Sequence, residues 1–526
     1  MKSIKFYAHL ILSSIIVVTS LTACSDDIDT LKPVEAPATS AYSISKVRVT
    51  ASGYVETKQN DRALTRGNNG EFKAEDFEIR PISEAQANAL STGKSGDDGS
   101  SIWYAYKWYT LNYFCKTADG TEKELSELVV APYRFGSVCK PSQLIIGCHS
   151  TITSDAQRPT NFSKLENLGE INMLALFTNI MSQNALVIVP DYEGYGSTKS
   201  SPHPYLNREL TAEQVITGAK AGLLWFESEV QKMDQNWSGM AIGYSQGGAV
   251  AAGVLRYCQK SGENSLRLKG AVCGDGPYDP LATLKRYITM DKLYMPIAPT
   301  LMLKGAIDTD PEMKAAGCEY QDFVTEQFYQ TNVFKYIQDK EKSADEVQAA
   351  LLEHSYNNGD NGGFTMMALT SDGFQRYTKK NAVDGSGKKR NFKLENGKGY
   401  NYCTIDQCLK PGVIAYFTDG TILGDVPESK LKALERSLSK NALTADGFTP
   451  GSGFTFFHST GDEVVPFCNL ESVRNTWGTG AIKSITFQSY ISYHVATGAA
   501  FFTLHCGSLV NEILKGTWKP GEQIAG

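Results

Sequence analysis

A serine between two glycines, in Gly243-Tyr244-Ser245-Gln246-Gly247, has the setting in this 526-residue chain that most invites nucleophilic chemistry. Ile242 precedes the motif, and Ala249-Val250-Ala251-Ala252-Gly253-Val254-Leu255 follows it. The spelling predicts a strand, a sharp turn and a helix, with the serine at the apex. Glycines allow the turn a strained backbone and leave no side chains beside the hydroxyl. A helix directly behind it aims N–H groups and a positive dipole end at the same point. A serine hydroxyl is nevertheless a poor nucleophile at neutral pH. It needs a base within hydrogen-bond reach, and the base needs an orienting group.

The motif resembles the nucleophile elbow of the α/β-hydrolase superfamily, with Ser245 as the nucleophile. The resemblance implies partners in the chain order Ser, then Asp or Glu, then His. Asp462 stands where the acid is expected, in Phe456-Phe457-His458-Ser459-Thr460-Gly461-Asp462-Glu463-Val464-Val465-Pro466, just after an apolar strand. The other reading of Asp462 is an ordinary turn aspartate. Glu463 is the adjacent fallback, and Asp275 a more distant one. His494, in Tyr493-His494-Val495-Ala496-Thr497-Gly498, is the expected base. Of the seven histidines, His149, His203, His354 and His458 precede Asp462, and His505 suits a terminal helix. The oxyanion hole is expected from the backbone N–H groups of Gln246 and of the loop Gly147-Cys148-His149-Ser150-Thr151. Serine stands at position 150 where the superfamily's His-Gly-x pattern has glycine, so Thr151 is the preferred donor and Ser150 the alternative. His149 is expected to shape the loop.

A second block, Val189-Pro190-Asp191-Tyr192-Glu193-Gly194-Tyr195-Gly196 followed by His203-Pro204-Tyr205-Leu206, strengthens the likeness. With the elbow it resembles the secretory lipase family and related lipoprotein hydrolases of the Bacteroidetes, over about residues 100–275 and 450–510. This resemblance implies hydrolysis of carboxylic esters by a lipase or esterase, through an acyl-enzyme intermediate, with no cofactor or metal. Asp191 and Glu193 are expected to hold their loop by hydrogen bonding, or to be solvated loop acids. Two rivals remain open. One is an aminopeptidase-like serine peptidase of the same fold, with Glu193 receiving the substrate amine. The other is a surface binding lipoprotein without catalysis.

The elements that must position these groups follow from hydropathy. Continuous apolar runs at 144–148, 185–189, 239–242 and 270–273 predict strands of a parallel sheet covered on both faces. Runs at 105–114 and 125–132 suit antiparallel strands joined by a hairpin. A helix over 211–230 is predicted, with Thr211 and Gln214 spaced as a capping box. The expected fold is therefore α/β: a mostly parallel, doubly wound sheet with a helical cap insertion. The cap spans 277–449, with helices predicted at 281–293, 323–338 and 344–352, the last capped by Ser343 and Glu346. The core occupies 101–276 and 450–526, with strand rhythm resuming at 454–457 and 484–487. Apolar cap residues such as Tyr287, Met295, Ile297, Leu301 and Met302 suit an acyl chain or the packing of cap on core.

Residues 1–23 read as a leader, with Lys2 and Lys5 before an apolar run too short to span a bilayer. Leu21-Thr22-Ala23-Cys24 resembles a bacterial lipoprotein cleavage site, which makes Cys24 the expected lipidation point and anchors the protein to a membrane. Ser25-Asp26-Asp27 resembles the export signal of Bacteroidetes surface lipoproteins. This implies the outer membrane, on the cell surface or the periplasmic face. Residues 24–100 are expected to be a tether and a loosely packed extension with limited strand potential. A net charge of -6 offers no nucleic-acid footprint. Small-molecule or lipid esters are the expected partners. Ten cysteines follow Cys24; several, such as Cys148, Cys258 and Cys273, read as buried thiols, and Cys403 and Cys408 are close enough in sequence to bridge.

Overall fold

The structure, a computed structural model, describes residues 44–60, 77–90, 101–161, 184–394, 399–488 and 494–525. The leader, Cys24, Ser25-Asp26-Asp27, the first part of the expected tether and residues 489–493 lie outside the described residues.

One twelve-stranded sheet organises the chain. In sequence its strands are β1 (Val47–Asn60), β2 (Phe77–Ile82), β3 (Ser101–Lys116), β4 (Glu122–Arg134), β5 (Ser137–Val138), β6 (Gln143–Cys148), β7 (Ala185–Pro190), β8 (Ser238–Tyr244) and β9 (Leu268–Gly274). After an insertion come β13 (Phe454–Ser459), β14 (Lys483–Phe487) and β15 (Gly521–Ala525). The spatial order is β15-β14-β13-β9-β8-β6-β7-β4-β3-β1-β2, with β5 on the side of β4. From β15 to β7 every pairing is parallel, and from β7 to β2 every pairing is antiparallel. β6, β7 and β8 are apolar without interruption because both faces are covered. Leu144, Ile146, Leu186 and Ile188 pack under the helices Arg208–Glu229 and Gln246–Ser261. Ile145, Val187, Met240 and Ile242 face the opposite layer, which includes Phe501, Phe502 and the helix Gly507–Leu514. The alternation of residues between two cores is the period of a strand.

The extension differs from its expectation. β1 pairs with β3 along its length, from Val47 opposite Tyr113 to Asn60 opposite Ser101. Val55 is fully buried beside Tyr106 and Trp108. The segment reads as polar because one face and much of its length meet water, yet its backbone completes the sheet. The helix Arg208–Glu229 also begins a turn before its predicted start. Asn207 caps it by accepting from Leu210 N, so Thr211 lies inside the helix rather than at its cap.

Between β9 and β13 lies the insertion, built on its own apolar cluster. Its helices include Pro280–Ile288, Ile297–Thr309, Ala344–Asn358, Pro411–Asp419 and Glu428–Lys440. Ser343 and Glu346 form the capping box their spacing suggests. The helix predicted over 323–338 is instead three short ones, Tyr320–Phe323, Glu326–Tyr329 and Val333–Asp339. Thr325 caps the second, and Asn332 adopts a left-handed backbone before the third, which restarts the chain each time. A small antiparallel sheet of β10 (Met367–Thr370), β11 (Gly373–Arg376) and β12 (Asn401–Tyr402) also sits in the insertion. Cys403 and Cys408 are buried free thiols in contact, not a disulfide.

Deletion of residues 1–60 is expected to lower the melting temperature sharply or to abolish soluble expression. It would strip the partner from the sixteen-residue strand β3 and leave a long unpaired edge. A truncated protein melting with the full chain would show β1 to be dispensable.

Candidate active site

Ser245 sits at the end of β8, one residue before the helix Gln246–Ser261. Its φ of 58° and ψ of -127° put a non-glycine residue in strained backbone. Its N–H donates to Gly274 O of the neighbouring strand at 2.9 Å, which helps hold the turn. The flanking glycines are required by close approach. A Cβ on Gly247 would lie 2.0 Å from Cys148 O, and one on Gly243 would lie 2.1 Å from Gly247 O. The sequence thus places the serine where the end of β6, the end of β8 and a helix N-terminus converge.

His494 begins the helix His494–Ala500. Three contacts fix it. Its Nδ1 lies 2.6 Å from Asp462 Oδ2, its N–H donates to Glu463 Oε2 at 3.0 Å, and its carbonyl accepts from Tyr244 Oη at 2.6 Å. Asp462 accepts, so Nδ1 carries the proton and Nε2 is left as the acceptor. Ser245 and His494 line one cavity of about 260 Å³, together with Ser150 and Thr151. No hydrogen bond between the serine hydroxyl and the ring is recorded among the described residues. The ring leans on that of Tyr244, the residue before the serine, with centroids 5.0 Å apart.

The three carboxyl groups considered from sequence have separate places. Asp462, after β13, meets the imidazole, and its Oδ1 accepts from Val464 N at 2.8 Å and Val465 N at 2.7 Å. Burial opposes its charge, but His494 and these donors hold its carboxyl below the usual range. Glu463 contacts only the histidine backbone on this side, and burial followed by the charge of Asp462 pushes it up to about 7. Asp275, just after β9, accepts from Ser459 N on Oδ1 at 2.9 Å, and its Oδ2 lies 2.5 Å from Tyr244 Oη, whose one proton goes to the His494 carbonyl. Burial and then the neighbouring Asp462 raise it well above a normal carboxyl and favour its protonated form. Burial pulls His494 down, but Asp462 and Glu463 outweigh it and leave the imidazole more basic than usual.

His458, set aside by chain order, belongs to this cluster. Its Nδ1 is 3.8 Å from Asp275 Oδ1 and its Nε2 donates to Val465 O at 2.9 Å. Asp275, His458 and Asp462 stand close enough to share a cation. Asp462 is already occupied by His494 and two backbone donors, and the Nε2 of His458 by a carbonyl. The donor set works as a hydrogen-bonded support rather than a metal cage. Tyr244 was missed from sequence as a partner of the histidine, its signal being position alone beside the serine, and Asp275, a fallback for the acid, meets Tyr244 rather than the imidazole.

Around the serine, Gln246 N–H lies at the first position of its helix, where no intrahelical acceptor exists. The Gln246 side chain donates to His203 Nε2 at 2.8 Å, and His203 Nδ1 donates to Glu193 O at 2.8 Å. Burial drops His203 to about 3, so it is neutral. Thr151 Oγ1 and Tyr205 Oη are 3.1 Å apart. His149 faces the carbonyls of Ser150 and Asp191 and stacks on Tyr192, which fastens the loop after β6 to the loop after β7. Asp191 accepts from Ser126 Oγ at 2.6 Å and Thr160 N at 2.8 Å. Glu193 accepts from Ala118 N at 2.9 Å and Gln214 Nε2 at 2.7 Å. Glu193 is therefore absent from the wall of the serine cavity and is not placed to receive a substrate amine. The apolar part of that wall comes largely from the insertion, through Tyr287, Met295, Ile297, Leu301 and Met302.

No protein-family model matches the sequence, and no curated protein matches it. Solved structures do match. LipA, a rice cell wall degrading esterase from Xanthomonas oryzae, superposes with a TM-score of 0.57 at 15% identity, covering 89% of this chain and 98% of that one. A candidate hydrolase from Legionella pneumophila gives a TM-score of 0.54 at 15% identity, covering 83% and 94%. At such identities the likeness speaks to architecture. With the parallel sheet, the strand-to-helix turn at Ser245 and the insertion after β9, it establishes that the chain has the α/β-hydrolase fold.

Proposed function

We propose that the protein is a serine hydrolase of carboxylic esters. The observation that carries this reading is the contact between His494 and Asp462 on a cavity whose wall also holds Ser245. In the proposed reaction Ser245 Oγ attacks the ester carbonyl while His494 Nε2 takes its proton. The developing oxyanion is met by the N–H groups of Gln246 and Thr151, with Ser150 the alternative to Thr151. The imidazolium is stabilised by Asp462 and passes its proton to the departing alcohol. Water, activated by the same imidazole, then releases the acid and restores the serine. The apolar wall supplied by the insertion suits an acyl chain. The peptidase alternative has lost its proposed amine-binding group, because both oxygens of Glu193 are committed elsewhere.

Ser245→Ala is expected to reduce turnover of p-nitrophenyl esters by about a million-fold, to background, with an unchanged melting temperature. Asp462→Asn should cost roughly ten-thousandfold by disturbing the imidazole tautomer. Asp275→Asn should cost less than about tenfold, or ~1.4 kcal/mol, because burial and Asp462 already push this carboxyl toward its uncharged form. Turnover that survives in Ser245→Ala would remove the nucleophile from the scheme.

The pH profile carries a separate expectation. The base must be neutral to act, and its basicity is raised. The acid limb of kcat/KM should therefore lie above the ordinary imidazole value of about 6.5, with activity lost as pH falls through it. Any residual activity of Asp462→Asn should show this limb moved to lower pH, since burial then acts without its main opponent. A limb that stays in place would separate Asp462 from the base.

We further propose that the protein is a lipoprotein of the bacterial outer membrane, held by a lipid on Cys24. The support is the sequence Leu21-Thr22-Ala23-Cys24 behind an apolar leader. Among the described residues no helix is long and apolar enough to cross a membrane. Cys24→Ala should abolish incorporation of labelled palmitate and move the protein out of the membrane fraction. Continued labelling would point to another attachment site.

A further inference from the structure

A second cavity, of about 270 Å³, lies beside the serine cavity and differs from it in character. Tyr205 and Leu301 belong to both walls, so the two cavities adjoin across these side chains. The second cavity is lined by the loop from Ser200 to Tyr205 on one side. On the other side are Lys304, Asp308, Tyr320 and Lys340 of the insertion.

Lys340 is the anomaly. It is 5% exposed, and none of its recorded contacts is to a carboxylate among the described residues. Two of its three donors go to backbone carbonyls, Lys199 O at 2.8 Å and Ser201 O at 2.5 Å. Its ammonium also lies 5.5 Å from the centroid of the Tyr195 ring, so carbonyl dipoles and one aromatic face meet the charge, but no anion does among the described residues. Lys304, also buried, is already matched. It meets Asp308 Oδ2 at 2.6 Å and Tyr320 Oη at 2.8 Å. The cavity wall therefore holds two cations and one anion. A buried cation without a counter-ion is costly, and the cost falls when an anion is delivered to it. Burial, followed by the charge of Lys304, depresses Lys340 to about 8, the direction expected of an unneutralised site. Lys199, Asp155 and Glu193 are the other charged groups that act on it.

We propose that this second cavity is the alcohol-side subsite and that it takes an alcohol bearing a carboxylate, whose anion pairs with Lys340. The inference rests on the ester reading above for which half of the substrate it names. The division follows from the walls. The serine cavity offers Met295, Ile297, Leu301 and Met302 to an apolar acyl chain, whereas the second offers ammonium groups and hydroxyls. A single excess positive charge matches a monoanion.

The test compares 4-(butyryloxy)benzoate with its neutral methyl ester. Calorimetry on the Ser245→Ala protein reads binding without turnover. The anionic ester is expected to bind roughly tenfold tighter than the neutral one. Lys340→Met should bring the two affinities together by weakening only the anionic ester. Asp308→Asn removes the cavity's negative charge while keeping its shape, and should widen the preference. Equal affinities in the Ser245→Ala protein, or no binding of the anionic ester, overturn the proposal. So does a preference that survives Lys340→Met. Should that variant not fold, failure of Asp308→Asn to tighten the anionic ester overturns it alone. Turnover by the wild-type protein is scored separately. An anion preference in binding without hydrolysis of either ester would end the ester reading and leave the anion site standing. Hydrolysis of both without preference would do the reverse.

Discussion

The buried contact between Asp462 and His494 sets the terms for everything near it. An ionised carboxylate in a low-dielectric interior tolerates no second unpaired negative charge at hydrogen-bond range. Asp275 and Glu463 crowd it, and both respond by holding protons more tightly. Asp275, pushed toward its protonated form, is able to donate where a carboxylate would repel, and ties Tyr244 and Ser459 to the same point. Glu463 holds the first N–H of the histidine helix. One negative charge is thus supported by two carboxyls that could have opposed it. The imidazole gains basicity and a fixed tautomer from the arrangement.

Strain and support are distributed over separate segments. The backbone of Ser245 is unfavourable by itself, and it persists because β6, β9 and the following helix close on it. The histidine arrives from a part of the chain far along the sequence, on the opposite side of the insertion. Tyr244 joins the two, since its hydroxyl meets both Asp275 and the carbonyl of His494 while its own backbone ends β8. Ser245, His494 and Asp462 are therefore referred to the C-terminal ends of neighbouring strands in one sheet.

The sequence revealed those parts whose physics is local. Apolar runs such as Leu144–Cys148 mark strands covered on both sides, and the glycines around Ser245 mark a turn with no room for a Cβ. The order of Ser245, Asp462 and His494 could be read because each lies directly beside such a signal. β1 could not, because Val47–Asn60 is polar on one face and becomes a strand through its pairing with β3. The break at Asn332 was hidden as well, since an amphipathic period continues across a residue that leaves the helical region. The roles of Asp275 and Tyr244 depend on segments brought together only by folding, as does the committed state of Glu193. Charge balance in the second cavity is likewise a property of assembled walls, with Lys340 and the carbonyls of Lys199 and Ser201 well separated along the chain.

Leu301 and Met302 have two duties that pull against each other. They belong to the apolar cluster that folds the insertion, and they also face the cavity beside the serine. Shortening either to admit a bulkier substrate would remove buried methylenes at a cost of about 2–5 kcal/mol, a large share of a domain's ordinary margin. Change in the shape of the cavity is thereby channelled toward wall positions outside the fully buried cluster, of which Met295 is one. Evolvability of this scaffold is gated by foldedness at some wall positions and left free at others.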